Sequence, residues 1–143
     1  MTPILIDDHL LRDLLANDVT DGLAEVLGRH EPATTNLYYV RLCRSVVAAR
    51  GGSLTGFWPG ERRRALGRAL VALPETIGVV PLRILGYRIA ELADAHRLST
   101  LGAEAVAAAE HLSAPLCVWD GDDGPGIRAA MENLGGSYRT IRR

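Results

Sequence analysis

Five aspartates fall into two groups that could act together. Asp7 and Asp8 follow the apolar run Ile4-Leu5-Ile6, and Asp120, Asp122 and Asp123 follow Leu116-Cys117-Val118-Trp119. Clustered carboxylates suit Mg2+ or Mn2+, hard cations that take oxygen ligands and keep several waters. The candidate metal ligands are Asp7, Asp8, Asp120 and Asp122, with Asp7 and Asp120 as the pair expected to carry catalysis. His9 adjoins the first group, either as a further ligand or as a surface His in the first turn of a helix. The same aspartates also suit a blander job. Asp8 can cap one helix and Asp122 or Asp123 another, and Asp-Gly is a common turn sequence.

The basic residues narrow the chemistry. Lys and Arg together number 16, and every one is Arg. There is no amine for a Schiff base and no Gly-Lys-Ser/Thr phosphate loop. Arg41 and Arg44 lie three apart, on one face of a helix. Arg62, Arg63, Arg64 and Arg68 form a second basic run. Arg41, Arg44, Arg62 and Arg63 are the candidates for holding RNA phosphates; a solvated helix face is the other reading. The formal net charge of -1 gives no overall basic field. Cys43 and Cys117 lack CxxC spacing and sit in apolar surroundings, as buried reduced thiols of a cytoplasmic protein do. No apolar stretch approaches the ~20 residues that span a bilayer. Asp7 and Asp8 interrupt the first apolar run, so no signal peptide is expected. The cytoplasm is the expected compartment.

The elements that must position these residues read as alternating strands and helices. Strands are expected at Pro3–Ile6, within 31–35, at Thr76–Val80, Pro115–Trp119 and Ser137–Ile141. Helices are expected from Asp7–Asp8 to Leu15 and over Asp21–Leu27. A longer one runs from Asn36, as its cap, to Arg50, where Gly51-Gly52 ends it. Further helices are expected over Glu61–Leu73, Leu82–His96 (with Ile84, Leu85, Ile89 and Leu92 inward), Gly102–Leu112 and Ile127–Leu134. A loop over Gly51–Gly60 holds Phe57, Trp58 and Pro59. Strands separated by helices imply a mainly parallel sheet of four or five strands between helical layers, with the fully apolar Ile4-Leu5-Ile6 strand central. The 143 residues suit one domain spanning 1–143. In such sheets ligands bind beyond the carboxyl ends of the strands near the switch in strand order, so residues over 110 positions apart can meet there. Phe57 and Trp58 offer apolar surface, either to a partner or to the domain's own core.

Two families share this opening. Ile4-Leu5-Ile6-Asp7-Asp8-His9 resembles the start of a response-regulator receiver domain, but the chain has no Asp between Asp21 and Asp94 to be phosphorylated, and no Lys. The better resemblance is to PIN domains, and it covers nearly the whole chain. It rests on Ile4-Leu5-Ile6-Asp7, on the order of elements, and on the stretch Glu91-Leu92-Ala93-Asp94-Ala95-His96-Arg97-Leu98-Ser99. It also rests on Ala109-Glu110-His111-Leu112-Ser113-Ala114-Pro115-Leu116 and on Val118-Trp119-Asp120, which falls where the family usually has Thr-x-Asp. The resemblance implies a three-layer α/β/α fold, a Mg2+- or Mn2+-dependent endoribonuclease of the VapC-toxin type, an antitoxin partner and a homodimer. Two of the family's four acidic positions depart from the pattern. The second falls near Val40-Arg41, with no acid anywhere from Asn36 to Gly60. The third falls on Gly102; Glu104 is two residues on, a turn of roughly 200° around a helix. The expectation is therefore a weakly active or non-catalytic relative that binds RNA or protein, with an active toxin nuclease as the alternative.

Overall fold

The structure is a computed structural model, and it describes residues 1–48 and 52–142. Five strands form one sheet: β1 (Thr2–Ile6), β2 (His30–Thr34), β3 (Gly78–Val79), β4 (Leu116–Trp119) and β5 (Tyr138–Ile141). The order is β3-β2-β1-β4-β5, and every pairing is parallel. The apolar β1 is central, as its composition requires. Its alternation splits the core. Ile4 and Ile6 face one cluster with Cys117 and Ile141, and Leu5 faces the other with Leu116 and Val118.

Eight helices among the described residues cover the two faces. On the Ile4–Ile6 face lie α1 (Asp8–Leu15), α2 (Asp21–Leu27), α3 (Asn36–Ala48), α4 (Gly52–Thr55) and α5 (Gly60–Val71). Leu10, Leu11, Leu23, Val26, Leu42, Leu54, Leu66 and Leu70 supply the packing. On the other face lie α6 (Leu82–His96), α7 (Thr100–Leu112) and α8 (Pro125–Asn133), with Leu85, Ile89, Leu92 and the alanines of α7 inward. The small α7 side chains let that helix lie close to the sheet and to α6. This is the expected three-layer α/β/α fold with a five-stranded parallel sheet.

Several boundaries differ from expectation. Thr76–Val80 is not a core strand: only Gly78 and Val79 pair, and they do so at the sheet edge. Ile84 points outward, 54% exposed. The Gly51–Gly60 loop contains the short helix α4, whose Leu54 and Thr55 are buried. Asn36 is not the cap of α3. Thr35 takes that place, its hydroxyl accepting the Tyr38 N–H at 3.0 Å. The expected end of α3 at Arg50-Gly51 lies outside the described residues.

The chain builds β2 and β3 on one side of β1 and then returns to place β4 and β5 on the other. The switch in strand order is therefore between β1 and β4. The carboxyl ends of those two strands open side by side, with Ile6 in register with Cys117.

Candidate metal centre

Asp7 is the first residue past β1 and the N-cap of α1. It is fully buried. One carboxylate oxygen, Oδ1, accepts the Leu10 N–H at 2.9 Å; the other, Oδ2, accepts the Trp119 N–H across the switch point at 3.2 Å. Burial pushes its carboxyl up to about 7, against the pull of the Leu10 N–H and with the neighbouring Asp8 charge adding to the rise.

Asp8 opens α1 and is also fully buried. Its Oδ1 accepts the His9 backbone N–H at 3.0 Å and lies 3.2 Å from His9 Nδ1. Its Oδ2 makes no hydrogen bond, although the Arg41 Nη1 of α3 stands 3.3 Å away. The contact is between charges, without hydrogen-bond alignment. The His9 ring is buried under the Trp119 ring, centroids 4.6 Å apart, and its Nε2 lies 3.4 Å from the Ser53 hydroxyl. Without an ion, a ring protonated on Nδ1 donates to Asp8 and accepts from Ser53; to ligate an ion through Nδ1 the ring takes the other tautomer, its Nε2–H donating to the Ser53 hydroxyl. Gly121 leaves room for the Trp119 ring, since a Cβ at that position would force that ring to shift.

From β4 the chain turns through a short 3-10 segment, Asp120–Asp122. The turn brings Asp122 back, its Oδ2 4.0 Å from His9 Nδ1. Partial burial and the Asp8 charge push the Asp122 carboxyl up, while His9 and Arg41 pull it down. Tyr38 lies buried close by, its phenol pushed well up by burial and by the charges of Asp7, Asp8 and Asp122. One ligand atom each from Asp7, Asp8, His9 and Asp122 lies within 4.8 Å of the others. Opposite ligands of an octahedral Mg2+ or Mn2+ are about 4.2 Å apart, so the group is about half an ångström too wide. An ion would draw it in slightly or reach one member through water. Three carboxylates, a hydrogen-bond-free buried oxygen on Asp8 and one imidazole fit a divalent ion, Mn2+ better than Mg2+ because of the nitrogen donor.

Three of the four expected ligands thus converge: Asp7, Asp8 and Asp122. Asp120 stands exposed at the start of the 3-10 turn, outside this group. His9 joins the group, a role the sequence left open because a first-turn His can point either way. Glu104 does not. It is fully buried and spends both oxygens on the start of α3, accepting Leu37 N–H at 2.9 Å, Asn36 N–H at 3.0 Å and the Asn36 side-chain amide at 2.8 Å. Gly102 has a packing reason, since a Cβ there would stand 3.2 Å from Ile127. Among the basic candidates, Arg41 and Arg44 are exposed on α3, with Arg41 at the cluster. Arg62 covers the Trp58 ring at 3.7 Å and pairs with Asp18 at 3.3 Å. Arg63 donates to the Trp58 carbonyl at 2.8 Å. Both therefore tie down a loop.

No protein-family model matches the chain, and no curated protein matches it. Among solved structures it is similar to a chain of a toxin–antitoxin complex from Klebsiella pneumoniae. The two are 18% identical with a TM-score of 0.57, over 86% of this chain and 93% of that one. At this identity the likeness is one of fold.

Proposed function

We propose that this chain is a PIN-like, divalent-metal-binding protein that holds single-stranded RNA and cleaves it slowly or not at all. The observation that carries this reading is the meeting of Asp7 and Asp8 from β1 with Asp122 from β4 at the switch point, around an Asp8 oxygen that lacks a hydrogen bond. Asp7, Asp8, His9 and Asp122 would hold the ion. A bound divalent ion supplies an activated water and neutralises charge on a phosphoryl oxygen. The protein's own share is to fix those ligands: Asp7 through the α1 and Trp119 N–H groups, His9 through Trp119 and Ser53. Arg41 and Arg44 on the exposed face of α3 are the groups placed to take RNA phosphates beside it.

Slow chemistry follows from the missing acids. Glu104 is committed to α3, Gly102 carries no side chain, and no acid comes from α3. Fewer anionic ligands hold the ion less firmly, and a reacting group misplaced by about 1 Å can cost on the order of 100-fold in rate. The similarity to a chain of a toxin–antitoxin complex supports an antitoxin-like partner as part of this reading. The alternative, an efficient toxin nuclease, needs a fuller set of carboxylates than this cluster supplies.

The test measures binding of Mn2+ and of single-stranded RNA, and cleavage of that RNA in Mn2+, with Asp8→Asn and Asp122→Asn as controls. Measurable Mn2+ binding and slow cleavage, both reduced in the two variants, are expected. Absence of both ion and RNA binding would overturn the reading. Fast cleavage lost on Asp8→Asn would favour the toxin nuclease.

A further inference from the structure

Arg41 has a place in the cluster that its type does not suggest. Its guanidinium lies 3.3 Å from Asp8 Oδ2, yet that oxygen forms no hydrogen bond. The Asp8 side chain is fully buried, whereas the Arg41 side chain is 47% exposed. The carboxylate is therefore fixed and the cation is on a leash: an Arg side chain with its head partly in water can swing away without being stripped of solvent. Its charge also reaches Asp122, whose carboxyl it pulls down. Among the described residues, Arg41 is the positive group paired with Asp8 Oδ2, and its side chain is half exposed.

Resting on the metal-binding reading above, we infer that Arg41 is a tethered cation that competes with the divalent ion for Asp8, so that ion binding requires the guanidinium to leave. Two positive charges at contact distance on one buried oxygen repel each other strongly, which favours one at a time. A site whose competent form is only partly populated binds its ligand more weakly by that fraction. Arg41 thereby sets the ion affinity of the cluster, and in leaving it is presented, uncompensated, on the exposed face of α3. Gln, polar but neutral and shorter, removes the competitor, and Lys keeps the charge.

The experiment is a titration of the full chain with Mn2+, following the free-ion signal by electron paramagnetic resonance, for the wild type, Arg41→Gln and Arg41→Lys. Circular dichroism checks that each variant is folded; the half-exposed side chain makes a loss of fold unexpected. Arg41→Gln should bind Mn2+ at least about tenfold more tightly than the wild type, corresponding to Arg41 holding Asp8 about nine-tenths of the time, and Arg41→Lys should stay close to the wild type. Equal affinities for all three, or weaker binding by Arg41→Gln, would overturn the inference while leaving the metal centre in place. No Mn2+ binding by any of the three would overturn the metal centre itself, and the competition with it.

Discussion

Asp7 shows how one residue can carry opposing demands. It caps α1, ties β4 to β1 through Trp119, and lies fully buried among other acids. Burial raises its carboxyl from the ordinary 3.8 to about 7. Between those values the folded protein keeps a proton that the unfolded chain has released, so stability falls as pH rises through that window. The loss is on the order of a few kcal/mol, at 1.36 kcal/mol per unit. In a chelating buffer, urea unfolding should therefore give a larger stability at pH 5 than at pH 8. Asp7→Asn, which can still cap α1 but carries no charge, should flatten that difference. A parent protein that gains stability across the window, in parallel with the variant, would mean that Asp7 is ionised throughout. The acids themselves were legible in the sequence, because an apolar run ending in Asp marks the carboxyl end of a buried strand. Which of the second group would turn inward was not. Asp122 rather than Asp120 reaches His9 because the 3-10 turn redirects the chain, and a three-residue turn has no periodicity to read.

At the scale of elements, Glu104 on α7 joins two helices that lie far apart in sequence. Three donors at the start of α3 converge on its carboxylate, where the helix dipole also favours negative charge. Glu104→Gln replaces one oxygen with an amide that faces N–H groups, so it should cost about 1–3 kcal/mol of unfolding free energy. Mn2+ affinity should be unchanged. A fall in Mn2+ affinity without loss of stability would make Glu104 a ligand after all. Its role was hidden because the contact is between residues 67 or 68 apart in sequence, whereas spacing reveals only neighbours on one element. The elements with an unbroken apolar run, β1 and β4, or a clear helical spacing, α2 and α6, were readable nearly to the residue. Two were not. The Thr76–Val80 run has the composition of a strand but pairs over only two residues at the edge. The α4 turn is built from Gly52-Ser53-Leu54-Thr55, residues that also suit a loop, and Arg12 helps hold it by donating to the Leu54 carbonyl at 2.6 Å.

The surface of the whole molecule carries apolar groups that its own core does not use. Trp58 folds back beneath Arg62, and it no longer argues for a partner. Phe57 beside it is fully exposed, as are most of Val47 and Val71. The last two border a cavity of about 610 Å³ between α3 and α5, walled by Tyr39, Cys43, Val46 and Leu70. Gly67 lets the helices approach here, since a Cβ would stand 3.3 Å from Val46. A net charge of -1 gives two copies little reason to repel each other. Self-association through this groove is the expected outcome, and a stable dimer needs to bury roughly 800 Å² on each copy. Light scattering at micromolar concentration should report a dimer, and Val71→Glu should shift it to monomer by placing a charge in the apolar contact. Val71 is 90% exposed in the single chain, so the substitution should leave unfolding stability within about 0.5 kcal/mol. Phe57→Ser serves as the second probe. If it alone gives the monomer, the contact runs through the α4–α5 loop instead. A parent chain that is already monomeric would leave the groove without a second copy to fill it, and an antitoxin-like chain would become its candidate occupant.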